Sequence, residues 1–346
     1  MRRGHLAATA GALLGIIGPL ATASGQMPGP APGDAIHSNA NADTTGGNAK
    51  ALAGLAQQTA EDQAVSRIKP LVSQWLGIGD GAPDWMKRIE IQGDFLQRGK
   101  PQQSILTVQP LFQSAGKQDT VFVQGSIFHY AMFGEYRWTG NFGLGYRRLL
   151  ADNSILLGAN AFYDDEFTYN HRRMSAGAEA KWGPLDLGFN DYVALTHDRT
   201  VAPNTFERAL SGRDVTLSSQ VPFIPWIKVS GSYYAWDRYL APSDTNGMSY
   251  AVELFGLPYL SVKFTHSHSD FSDDQSRPQN ILSVQFKLAT WGSQSTLATG
   301  PIISDRIFET RDLTKDTLDK VERENRIIVE RRANTSGATV IISRLN

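Results

Sequence analysis

Two histidines, His266 and His268, flank Ser267 and precede Asp270, a grouping with the side-chain types of a metal site or a Ser/His hydrolase. A histidine pair without a third convergent ligand makes a weak zinc site. In an extended chain both rings share the face of Leu260, Val262 and Phe264. That face is apolar, so the pair reads as an interfacial rim. Asp164, Asp165 and Glu166 could form an acidic site or hold a cation. Successive strand residues point to opposite faces, so only Asp164 and Glu166 can converge, and their mutual repulsion perturbs ionisation only where water is excluded. The expectation here is a solvated loop start. No catalytic residue, metal site or cofactor is expected, and the chain does not read as an enzyme. A third group comprises Arg137, Asn141, Arg147, Asn160, Glu179, Lys181 and Lys263. Strand periodicity puts them on a presumed inward face, where charges of both signs either line an aqueous pore or bind a segment threaded through it. Contacts between these residues and the charged carboxyl-terminal tail are expected.

The elements that must position this third group are alternating strands. From Tyr136, one face carries Tyr136, Trp138, Phe142, Leu144 and Tyr146, and the other Arg137, Thr139, Asn141, Gly143, Gly145 and Arg147. Period two of this strictness is a strand signal. After a turn at Ala151-Asp152-Asn153, Ile155, Leu157, Ala159, Ala161 and Tyr163 face one way, with Gly158, Asn160 and Phe162 opposite. Aromatics at both ends of the apolar face suit two membrane interfaces, which predicts an outer-membrane barrel. Twelve strands are expected: Arg88–Leu96, Ser104–Phe112, Thr120–Tyr130, Tyr136–Arg148, Ile155–Asp164, Arg173–Trp182, Leu185–Thr196, Leu210–Gln220, Trp226–Trp236, Met248–Phe255, Tyr259–His268 and Gln279–Leu288. An even count lets an antiparallel sheet close and remove its edges. The connections His197 to Ala209, Asp237 to Gly247 and Ser269 to Pro278 are long and polar, while Gly183-Pro184 and Leu257-Pro258 are tight. Outer loops are the longer ones in outer-membrane barrels, which predicts a periplasmic amino end.

Composition is compatible with this. With 33 basic and 34 acidic side chains nothing points to nucleic acid, and without cysteine there is neither a disulfide framework nor a thiolate site. Mean hydropathy is −0.28, low for a helical membrane protein but natural for strands that alternate. Met1-Arg2-Arg3, an apolar run from Leu6 to Leu20 and Ala21-Thr22-Ala23 predict a signal peptide over 1–25. Residues 26–50 have almost no large apolar side chain and read as a disordered periplasmic linker. Over 51–79, Leu52, Leu55, Val65, Ile68, Val72, Trp75 and Leu76 recur at helical spacing, predicting a periplasmic helical segment before a barrel over 88–289. The tail over 290–346 interleaves acidic and basic residues; Ile302 to Arg326 is expected to be part helix, and Arg326 to Arg332 with Ala338 to Arg344 a small hairpin.

GLGYRRLL, LLGANAFYDDEF and HRRMSAGAEAKWG, with VSQWLGIG upstream and VERENRIIVERR downstream, resemble the translocator barrel of inverse autotransporters of the intimin and invasin type, over roughly residues 65 to 332. The resemblance implies an outer-membrane barrel of type V secretion that anchors the protein and conducts its own carboxyl end through the lumen to the cell surface. It also implies membrane lipid, the barrel-assembly machinery and periplasmic chaperones as partners. Members of the family carry immunoglobulin-like adhesive domains of about 100 residues after the barrel. Ala289 to Asn346 is too short for one, so adhesion is not carried over, and a separately encoded passenger is an open alternative. The rival reading is a diffusion channel whose tail is a periplasmic or lumenal plug.

Overall fold

The computed structural model describes residues 83–239, 244–255, 260–269, 278–288, 303–308, 311–333 and 339–343. The expected signal peptide, linker and helical segment over 51–79 lie outside these, as does the Leu257-Pro258 turn. Sixteen strands run in chain order: β1 Ile89–Leu96, β2 Gln102–Gln113, β3 Asp119–Met132, β4 Glu135–Leu150, β5 Ile155–Glu166, β6 His171–Trp182, β7 Leu185–Ala194, β8 Arg199–Ala202, β9 Thr205–Ala209, β10 Gly212–Val221, β11 Ile224–Trp236, β12 Thr245–Leu254, β13 Leu260–Ser269, β14 Gln279–Lys287, β15 Val329–Ala333 and β16 Thr339–Ser343. Twelve of them, β1 to β7 and β10 to β14, form a closed antiparallel barrel in which β1 pairs with β14, Glu90 opposite Lys287 and Leu96 opposite Ile281. Closure leaves no unpaired edge among the barrel strands, the condition for placing a sheet in hydrocarbon.

Burial alternates residue by residue. Along β4 Arg137, Thr139, Asn141, Gly143, Gly145 and Arg147 are buried, while Phe142, Leu144, Tyr146 and Arg148 are exposed. In a closed barrel the buried set faces the interior and the exposed apolar set the surroundings, so Phe142, Leu144, Leu157 and Leu187 form an outward belt. Two irregularities shift the register, one at Pro110/Phe112 between β2 and β3 and one at Gln220/Val221 between β10 and β11. At the first, Pro110 has no N–H to donate to the ladder.

The two barrel ends differ. One carries the β4–β5 turn, where Ala151, Asp152 and Asn153 all have positive φ, and the Gly183-Pro184 turn, with Gly183 at φ +54. The other carries the long β7–β10 and β11–β12 connections, but also the tight Phe133-Gly134 turn between β3 and β4. The connection between β7 and β10, expected as a polar loop, contains β8 and β9. These join β15 and β16 in a second sheet ordered β16-β15-β9-β8. The β15–β16 pair is the expected tail hairpin.

The expectation of helix in the tail is corrected. Within the described residues of 303–326 the only helical piece is a single 3-10 turn, Leu313–Lys315. The physical reason lies in the barrel wall, whose side chains take the hydrogen bonds an α-helix would make internally. Arg147 donates to the carbonyls of Thr317 and Asp319, Asn190 to that of Glu322, Arg173 to that of Glu324 and Asn141 to that of Asn325. The amide of Val321 donates to Gln124 and that of Glu324 to the Tyr192 hydroxyl. Buried backbone groups need partners, and here the wall supplies them to an extended chain.

Candidate functional site

The tail's course through the barrel is fixed at both ends. At the short-turn end the amide of Leu313 donates to Asn153 in the β4–β5 turn, and the Leu313 side chain is buried with Leu149 and Leu156. Before it, residues 304 and 307 exchange backbone hydrogen bonds with Phe223 in the β10–β11 turn. At the other end the amide of Leu210 donates to Ile328, and β15 pairs with β9, Val329 opposite Ala209 and Ala333 opposite Thr205. Between these points the chain lies inside the closed sheet.

Charge pairing accompanies the whole run. Arg311 contacts Asp186 and Asp316 at 2.5 Å each, and Lys181 reaches Asp319 at 2.7 Å and Asp316 at 3.7 Å. Arg147, buried, binds Glu179 at 2.6 Å as well as the two tail carbonyls. Arg323 and Arg173 both hold Asp164, at 2.7 and 2.8 Å, and Asn141 donates to the same carboxylate. A carboxylate stripped of water is tolerated only when paired and hydrogen-bonded, and Asp164 has two guanidiniums and an amide.

Aromatic rings flatten the wall opposite these charges. Phe122 lies so close to Gly145 that a Cβ there would clash with the ring, and Phe162 lies as close to the same position on Gly143. Arg147 stacks on Phe122 at 4.4 Å and Arg323 on Phe162 at 4.2 Å. The glycines therefore let the rings sink into the sheet and leave room for the tail, while the ring faces receive the cations. Val321 completes the layer, buried with Leu106, Val108, Phe122 and Phe162.

The residues singled out from the sequence fall as follows. Arg137, Asn141, Arg147, Asn160 and Lys181 are buried, and Glu179 pairs with Arg147. Arg137 makes no hydrogen bond or ion pair with the described tail residues; its two terminal nitrogens each donate to Glu207 of β9 at 2.7 Å. Asn160 sits against Gly177, and Lys263 lines a polar cavity of about 240 Å³ beside the tail, with Glu90, Asp94, Glu253, Lys320 and Glu322. The solvated-loop expectation for Asp164 to Glu166 is corrected. Asp164 and Glu166 are fully buried, because both point inward, and only Asp165 is partly exposed. His268 is exposed and His266 is half-buried, hydrogen-bonded to Asn280. Among the described residues no group of three or more His, Asp and Glu side chains could hold a metal ion.

Sequence reasoning missed Glu207, Asp164 and Asp186 as tail receptors. Asp164 was accessible to it, since Arg173 stands directly opposite on β6 and implied an inward pair. Glu207 had no such signal. At 0% exposure it accepts from Arg137 and Arg331 and lies 3.4 Å from His171. Burial pushes its carboxyl up, but His171, Arg137 and Arg331 outweigh that and bring its pKa down from 4.5 to about 2.

Comparison with known proteins matches this architecture. The chain is 25% identical over 209 residues to intimin of Escherichia coli O127:H6, covering 58% of this chain and 21% of intimin. It is 29% identical over 203 residues to invasin of Yersinia enterocolitica, covering 56% of this chain and 23% of invasin. It thus spans less than a quarter of the length of these relatives. A membrane-protein chain solved in a study of in-meso crystallization superposes with a TM-score of 0.56 at 19% identity, over 70% of this chain and 99% of that one, and shares the fold. The family model described as inverse autotransporter, beta-domain matches residues 34–325, and with the twelve-stranded barrel this shows that the chain belongs to that family of outer-membrane β-barrels.

Proposed function

We propose that the barrel is a translocator that anchors the protein in the outer membrane and exports its carboxyl-terminal segment through its own lumen, with the amino end in the periplasm and the β8–β9 hairpin outside. The observation that carries this reading is the tail itself, held at Leu313 by the short-turn end, at Arg323 by Asp164 midway and at Ile328 by the far end. Complementary groups thus meet the tail from one barrel end to the other, which suits a chain that runs the full length of the lumen. The lumen residues Arg147, Lys181, Asp164 and Asp186 act as a polar track: each satisfies a group on the extended tail, so transit exchanges water for fixed partners without a helix forming. The reading includes insertion by the barrel-assembly machinery after chaperone escort, and a surface segment encoded in this chain or separately.

The cavity beside the tail supports a narrower second reading, that the barrel also passes small solutes. Orientation is the testable core of the first. An epitope inserted between Pro203 and Asn204, at the β8–β9 tip, should bind antibody on intact cells, and one between Gly183 and Pro184 should not. Reversed labelling would overturn the orientation.

A further inference from the structure

The outer sheet contains a pairing that export alone does not require. Apart from Arg331 of β15, the ion pairs near β9 among the described residues set three carboxylates, Glu135, Glu166 and Glu207, against the guanidinium of Arg137, with His171 alongside. Arg331 of β15 supplies a missing positive charge. It meets Glu207 through Nε at 2.7 Å and a terminal nitrogen at 2.6 Å, comes within 3.6 Å of Glu135, and stacks on Phe133 at 4.0 Å. A lysine could match the charge but not the two-nitrogen fork or the stacking.

The residues just before it fit two apolar recesses. Ile327 and Val329 are buried with Tyr130, Met132 and Ala209, and Ile328 is buried between Tyr192, Leu210, Tyr234 and Trp236. Beside them, the β9 edge offers five residues of antiparallel register to the incoming backbone. Edge pairing supplies affinity and side-chain recesses supply selectivity, as in other strand-addition sites.

We propose that the outer mouth is a strand-binding site selective for an extended segment with apolar residues followed by an arginine, and that it captures residues 327–332 as they emerge and holds them against sliding back. This rests on the translocator reading, because only an exported tail needs to be caught. The site makes export vectorial: once Arg331 is seated, retreat would expose Glu207 and Glu166 to a charge imbalance in a buried setting.

The test uses the full chain in outer-membrane vesicles or nanodiscs, with wild type compared with Arg331→Lys and Glu207→Gln. Heat-modifiable gel mobility confirms that each barrel is closed; Arg331→Lys lies in the tail and keeps the test valid should Glu207→Gln misassemble. Hydrogen–deuterium exchange of residues 329–333 should accelerate about tenfold or more in both variants, the effect of losing one charge-assisted contact to a buried carboxylate. Exchange of residues 319–325, held by the lumen wall, should not change. Unchanged exchange at 329–333 in Arg331→Lys would overturn the arginine-selective site, even if a tag after Asn346 is surface-exposed. Absence of that tag from the surface of wild-type cells would instead overturn export, and with it the capture role, whatever the exchange shows.

Discussion

Asp164 concentrates the chemistry of the lumen in one carboxylate, since it joins β5 to β6 through Arg173 and to the tail through Arg323. Removing one member of a buried ion pair leaves the others uncompensated, at a cost of about 3 to 5 kcal/mol, whereas an exposed pair contributes about 0 to 1 kcal/mol. Asp164→Ala is therefore expected to lower the urea concentration at which the compact gel band is lost, and Asp165→Ala, whose neighbour Arg172 is half exposed, to leave it nearly unchanged. Equal effects would contradict the burial assignment. Period two made the inward direction of Asp164 legible; its tail partner was not, because Arg323 lies 159 residues further along and only the threading brings them together. Glu207 gives a pH prediction. Its carboxyl is depressed from 4.5 to about 2 in the folded protein, so the stability it adds is fully present above about pH 4.5 and is lost as pH falls toward 2. The groups facing it are Arg137, His171, Glu166, Arg331 and Glu135. Protection of β15 amides, corrected for intrinsic exchange, should decline across that window in wild type and show no such decline in Glu207→Gln.

At the scale of elements, the barrel strands were readable because each alternates polar and apolar residues over eight or more positions, as in β4 with its sixteen. The β8 and β9 strands were not. They have four and five residues, sit within a polar connection, and take part of their support from β15, far along the chain. Their conformation is set by pairing, which local sequence does not encode. The absence of α-helix from the described tail residues has the same origin, since the carbonyls of residues 317, 319, 322, 324 and 325 are claimed by Arg147, Asn190, Arg173 and Asn141. A hairpin alone is marginal, so β15 and β16 need β9 to persist. Replacing residues 199–209 with a short polar linker should leave the barrel able to close, because β7 and β10 pair directly, yet abolish the slow exchange of β15. Persistent slow exchange there would mean that the lumen and not β9 holds the strand.

For the whole molecule, the barrel and its tail behave as one polar core inside an apolar cylinder. Asp164, Arg147 and Lys181 hold the tail from the side of β4 to β6, and the cavity beside it is lined mainly by β1, β2 and β10 to β14. Planar-bilayer conductance should accordingly be small for the full chain and several-fold larger after removal of residues 311–346, because the mixed-charge filling of the lumen is then replaced by water. Equal conductance would place the tail outside the conducting path. The central claim is that the chain passes through its own barrel and finishes outside. It is tested most directly by appending a tag after Asn346 and adding protease to intact cells. The account predicts that the tag is removed without lysis while the barrel stays intact; a tag that survives until the outer membrane is permeabilised would contradict it and make the tail a plug held from the periplasm.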